Sequence, residues 1–148
     1  MTLLVWFKRD LRLHDHVPLA RAAAAGRVLP VYVYEEEEFS AQTFDPARLI
    51  FLNESLRELS EGLRRRGARL TVLRGRIPDV FEEIRERIPF EGILSHEETG
   101  DDRTYRRDRR VKRWCRDQGI DWTEIPQHGV FRPLGNRNGW AARWRKRM

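Results

Sequence analysis

A single cysteine, Cys115, stands in the chain, which excludes an intrachain disulfide and any cysteine-based metal site. No run of apolar residues approaches the ~20 needed to cross a bilayer. The opening apolar stretch is short and passes straight into charge, unlike a secretory signal. The expectation is a cytoplasmic protein with no membrane partner. Phosphate signatures are missing as well: no Gly-x-Gly-x-x-Gly follows the first apolar run, and no Gly-Lys-Ser/Thr loop occurs. A simple dinucleotide or nucleoside-triphosphate enzyme is therefore disfavoured. No Ser/His/Asp or Cys/His arrangement offers a nucleophile, so no catalytic residue is assigned. The four histidines, His14, His16, His96 and His128, show no ligand spacing beyond the weak pair His14 and His16, and no metal is expected.

What the chain does hold is one domain's worth of residues, 148, with enough apolar content for its own core. Charged residues make up 35% and the net charge is +6. From Asp101 to Met148 there are fourteen Lys/Arg against six Asp/Glu, a local balance of +8 that leaves the first hundred residues at −2. The basicity belongs to the C-terminal third, as a solvated face or a surface for an anion.

The organising stretch is Leu3-Leu4-Val5-Trp6-Phe7, an apolar run of strand length, followed at once by Lys8-Arg9-Asp10. Charges of that kind cannot sit unpaired in a dry core. A buried strand, a charged turn and a helical pattern from His16 to Ala25 open a βαβ unit. Val28 to Tyr34 reads as a second strand, with Pro30 tolerable only where pairing has just begun. Glu35-Glu36-Glu37-Glu38 reads as a loop at its end, with Glu36 the candidate ligand contact, and Phe39 to Phe44 continues it. Asp45-Pro46 starts a helix as N-cap and first residue; Leu49, Leu52, Leu56, Leu59 and Leu63 give its apolar stripe, and Gly67 stops it.

Leu70 to Leu73 is a third strand, Val80 to Ile88 a helix, and Gly92 to Ser95 a fourth strand ending in His96-Glu97-Glu98-Thr99-Gly100. A helix capped by Asp101 or Asp102 and closed by Gly119 leads to Ile120–Ile125, whose alternation predicts an edge strand. The expected architecture is α/β: a five-stranded parallel sheet of order 3-2-1-4-5 with helices on both faces, Rossmann-like. Residues 1–126 complete it. Residues 127–148 form a linker and a helix start, on which Trp140, Trp144 and Met148 make an apolar stripe with nothing obvious to cover.

In that strand order the reversal lies between strands one and four, which brings Lys8, Arg9 and Asp10 opposite His96, Glu97 and Glu98. Mixed charge with Trp6, Phe7 and Tyr34 nearby suits a planar heteroaromatic ligand with an anionic tail. The competing reading is an internal ion-pair network of Arg9 or Arg12 with Asp15 or Glu97.

These residues also resemble a known family. Trp6-Phe7-Lys8-Arg9-Asp10-Leu11-Arg12-Leu13-x-Asp15 is similar to the opening motif of the DNA photolyase/cryptochrome family. Leu29-Pro30-Val31-Tyr32 resembles its second strand, and Arg48, Phe51-Leu52, Ser55-Leu56 and Leu59 its next helix. His96 to Gly100, Tyr105, Arg107-Asp108, Trp114-Cys115 and Gln127-x-Gly129-Val130 resemble the stretch leading out of the domain. The resemblance implies an antenna-binding domain of a deoxyribodipyrimidine photolyase-like flavoprotein, whose parent repairs pyrimidine dimers with light. It implies as partners an absent C-terminal helical domain holding FAD and, through it, damaged DNA. The fragment alone is not expected to be catalytic. The cofactor-binding candidates are Lys8, Arg9 and Asp10 from the opening motif, His96, Glu97, Glu98 and Arg103 from the loop at the antenna-cleft position, and Glu36 from the end of the second strand. Two departures stand out: His16 replaces the family's usual Asn, and His96-Glu97-Glu98-Thr99 replaces an Asn- and Tyr-containing loop. They leave the antenna open among methenyltetrahydrofolate, a deazaflavin, a flavin-type chromophore, or none. The alternatives are a cryptochrome-type blue-light sensor, a stand-alone nucleotide or flavin module, and, from the basic C-terminal third, a nucleic-acid-binding module.

Overall fold

The computed structural model describes residues 1–40, 45–131 and 136–148. Five parallel strands form one sheet of order β3-β2-β1-β4-β5: β1 (Thr2–Phe7), β2 (Arg27–Glu35), β3 (Thr71–Gly75), β4 (Gly92–His96) and β5 (Asp121–Ile125). Between and after them run α1 (Val17–Ala25), α2 (Glu36–Phe39), α3 (Pro46–Arg64), α4 (Asp79–Arg87), α5 (Asp102–Gln118) and α6 (Trp140–Arg147).

The period-two alternation of β1 divides the interior in two. Leu4 and Trp6 join Val31, Val33, Phe81, Ile84 and Val111 beneath α4 and α5. Leu3, Val5 and Phe7 join Tyr32, Ala22, Leu56, Leu59 and Leu63 beneath α1 and α3. Both faces of the sheet are covered, which is why the central strands read as continuous apolar runs. Pro30 pairs with Val5, while the ladder to β3 begins only at Val31. Its missing N–H therefore falls where pairing on that side has not yet started.

Helix ends follow their residues. Asp45 accepts from the Ala47 N–H with Pro46 at the first position of α3, and Asp101 accepts from the Thr104 N–H at the start of α5. Gly119 closes α5 in the left-handed region, φ +66°. Gly26 ends α1 for a different reason than a left-handed turn: its backbone is extended, and a Cβ there would meet the Met1 carbonyl oxygen.

One expectation needs correction. The acidic run after β2 is no loop, because Glu36 to Phe39 forms the single turn α2; acidic side chains at a helix start are favoured by the exposed N–H groups there. The stretch expected to continue as a loop to Phe44 lies partly outside the described residues, as does part of the linker. α6 forms where the Trp140/Trp144 spacing placed it, and packs back onto that linker. Gly129 lies against the Trp144 ring, and the Arg147 guanidinium sits 4.0 Å from the Phe131 ring centre. Trp140, Trp144 and Met148 remain exposed.

Candidate functional site

The C-terminal ends of β1 and β2 open into a cavity of about 730 Å3. β1 contributes Phe7 and the segment Lys8 to Arg12, and β2 contributes Tyr32, Val33 and Glu35. α3 forms a wall with Arg48, Phe51, Leu52 and Ser55, spaced so that one helix face looks inward. Arg103, Thr104 and Arg107 on α5, with Glu98 before it, close the far side. The volume lies in the range of small-ligand sites, and apolar walls with a few polar groups are the usual lining.

Arg107 is the main polar group of this site that motif position alone did not single out. It is buried, stacks 4.7 Å from the centre of Trp6, and donates from Nε to Asp108 at 2.9 Å and from Nη1 to Glu35 at 2.6 Å. Its Nη2 lies 2.8 Å from the Asp108 carboxylate in an ion pair, without an aligned hydrogen bond among the described residues. Burial works against its charge, but the carboxylates of Glu35 and Asp108 outweigh that and raise its pKa. For Glu35 burial wins over Arg107, and its pKa is raised. The signal available in sequence was the four-residue spacing of Arg103 and Arg107, which puts both on one side of α5.

On the other side of β1 lies the crevice toward β4. Lys8 is buried, donates from Nζ to the His96 carbonyl at 3.1 Å, and lies 4.3 Å from the Trp6 ring centre. Glu124 is 3.8 Å away. Burial lowers the Lys8 pKa and raises that of Glu124, so desolvation exceeds what this long pair returns. Arg9 lies 3.9 Å from Glu98.

Asp10 organises the crevice. Its Oδ1 accepts the Lys8 backbone N–H at 2.8 Å, and its Oδ2 lies 2.6 Å from His96 Nδ1 and 2.8 Å from His16 Nε2, the last contact short but bent. Burial would raise its pKa; the His16, His96 and Lys8 donors prevail and hold it well below the carboxylate range. These three side chains converge closely enough to suggest a cation site. The proton inventory argues otherwise. His16 Nδ1 accepts from the Leu19 N–H at 3.1 Å as the N-cap of α1, so a neutral His16 ring carries its proton on Nε2, facing Asp10. That nitrogen then has no lone pair for a metal.

Lys8, Arg9, Asp10, Glu98 and Arg103 are thus brought together around the main cavity. His96 and Glu97 border a smaller cavity of about 210 Å3 at the β1–β4 crevice, together with Lys8, Arg9, Asp10 and Glu98. Glu36 lines neither; it is exposed, 3.5 Å from Arg74, while Glu35 and Glu38 face the main cavity. Arg12 donates to the Asp15 carbonyl and to Gln127, each at 3.2 Å.

A family model described as DNA photolyase matches residues 3–139. A cryptochrome DASH of Synechocystis is 40% identical over 104 residues, 66% of this chain and 21% of the relative. A bacterial class III photolyase from Agrobacterium tumefaciens superposes with a TM-score of 0.81 at 26% identity, covering 93% of this chain and 28% of that one. An archaeal photolyase from Sulfolobus tokodaii, solved with two FAD molecules and described as implying a novel light-harvesting cofactor, gives 0.73 at 25% identity over 99% and 34%. The chain spans between about a fifth and a third of the length of these relatives.

Proposed function

The chain belongs to the DNA photolyase family, and from that premise we propose that its main cavity holds an antenna chromophore of flavin type, a planar heterocycle with an anionic tail. The observation that carries this is the pairing of a deep polar end with a cationic rim. At the floor, Arg107 Nη2 lies 2.8 Å from Asp108 Oδ1 and 3.8 Å from Glu98, in line with neither, so that it makes no hydrogen bond among the described residues. A ring edge with a carbonyl next to an N–H satisfies both kinds of group. At the rim, Arg48 is exposed and pairs with no carboxylate among the described residues, where a phosphate suits it. Phe7, Tyr32, Phe51 and Leu52 supply the apolar walls. When bound, the chromophore absorbs light; the chain's residues orient it and keep water from its ring.

The parent protein is proposed to be a deoxyribodipyrimidine photolyase, with FAD and the damaged DNA held by a C-terminal helical region. Relatives named as cryptochromes match as well, so a blue-light sensor is the second reading.

The test is equilibrium binding of riboflavin 5′-phosphate, riboflavin and methenyltetrahydrofolate to the chain. Flavin binding abolished by Ser55→Trp, which fills the cavity from α3, is the expected outcome. Arg48→Ala should weaken the phosphate-bearing flavin about tenfold, about 1.4 kcal/mol, and leave riboflavin unchanged. Preference for the folate, or flavin binding indifferent to Ser55→Trp, contradicts the proposal.

A further inference from the structure

We infer that His96, and not His16, is the proton-accepting member of the Asp10 cluster, so that one proton on His96 cancels a negative charge in the wall of the ligand cavity. The regulatory part of this inference rests on the chromophore reading above; the assignment of the proton does not.

Asp10, His16 and His96 come from the turn after β1, the start of α1 and the end of β4, and all three are buried. The two imidazole rings lie 4.6 Å apart and share the same carboxylate oxygen. Only one of them is free to gain charge cheaply. A second proton on His16 must go to Nδ1, where the Leu19 N–H already points. Two donors would then face each other and α1 would lose its cap, a loss that caps make measurable. The ring also packs 4.6 Å from Phe7, with no other acceptor near it among the described residues.

His96 is placed differently. Its Nδ1 is committed to Asp10 at 2.6 Å, and its Nε2 has no hydrogen-bond partner among the described residues. The residue borders two cavities of about 210 Å3 each. The groups facing it are Asp10 on the β1 turn, His16 at the start of α1, the Lys8 ammonium on its own carbonyl, and Arg9, Arg12, Asp15, Glu97, Glu98, His128 and Arg147 around those cavities. One carboxylate can balance one imidazolium, and His96 is the ring that can become it without breaking a backbone contact.

Asp10 lines the main cavity as well as the crevice. With both rings neutral, its charge opposes an anionic ligand; with His96 protonated, the pair is neutral. Ligand anion and proton are therefore bound cooperatively, and by linkage each strengthens the other equally. At the separations of a cavity wall this coupling amounts to several-fold in affinity.

The experiment has two arms. In the ligand-free chain, nitrogen NMR of the imidazoles along a series of falling pH should show His96, and not His16, as the ring that gains a proton, on Nε2. His16 should keep its Nε2–H tautomer throughout. A titrating His16 with a static His96 overturns the assignment. In the second arm, riboflavin 5′-phosphate affinity is compared across the same series in the native chain, His96→Asn and His16→Asn. Asn at position 96 can still donate to Asp10 from the place of Nδ1, and at position 16 its oxygen takes the place of the capping Nδ1. Because the phosphate titrates identically in all three, the ratio of native to His96→Asn affinity isolates the protein's part. That ratio should rise several-fold on acidification, with His16→Asn following the native chain. A constant ratio refutes the coupling even where the flavin binds. Failure of the flavin to bind at any pH would instead strike the cavity reading, and the coupling with it, while the NMR arm still decides the proton assignment.

Discussion

Asp10 shows how much one side chain fixes. It joins the end of β1 to α1 and β4, and it is held ionised by the Lys8 N–H and the His96 ring, with His16 Nε2 2.8 Å away. Asp10→Asn should cost about 2–3 kcal/mol, the scale of hydrogen bonds to a buried charged group. The sign with pH follows from its lowered pKa. The contribution is fully present above the unfolded carboxylate's value near 4 and is lost progressively as pH falls from there through the lower folded value. The gap in urea unfolding between the two chains should therefore be full at pH 7 and narrower by about 1 kcal/mol at pH 3; a gap of constant size would remove Asp10 as its source. At this scale the sequence revealed the cast but not the contacts. Lys8, Arg9 and Asp10 announced themselves as charges ending an apolar run. His16 looked like a spare histidine, because nothing in sequence says that its ring caps a helix with one nitrogen and meets Asp10 with the other. Arg107 stood in the resemblance but without a role, one of eight cations in α5, and only packing shows that it turns inward onto Trp6.

Elements were more legible, because their signals are local. The Asp45-Pro46 start, the leucine stripe of α3 and the Gly119 stop all act within a few residues, and each lies where its chemistry predicts. Gly119→Ala should destabilise the fold by about 1 kcal/mol, since an L-residue resists φ +66° and no neighbour obstructs the added methyl. Chemical unfolding that shows no loss would mean the end of α5 relaxes freely. The misjudged element was the acidic run after β2. Four adjacent carboxylates repel one another, which favours a solvated loop; the structure makes a turn of helix there, with Arg74, Arg76 and Arg110 each within 4 Å of one of its carboxylates. Those arginines are distant in sequence, so the compensation could not be seen from the run itself.

At the scale of the whole molecule, strand order and layer count followed from alternating strand and helix patterns plus the handedness of crossovers. The crevice between β1 and β4 was where the topology placed it, holding Lys8, Asp10 and His96. The larger cavity lies on the β2 side of β1, beneath α3. Topology identifies the sheet edge at which ligands gather; which neighbouring strand ends leave volume depends on how far α3 stands off the sheet, a matter of side-chain size along its whole length. The most direct test of the account is amide NMR shift mapping during titration with riboflavin 5′-phosphate. Flavin in the main cavity should perturb Phe7 to Arg12, Arg48 to Ser55 and Arg103 to Arg107. Shifts confined to Gln127, His128 and α6, or none at saturating flavin, would contradict it.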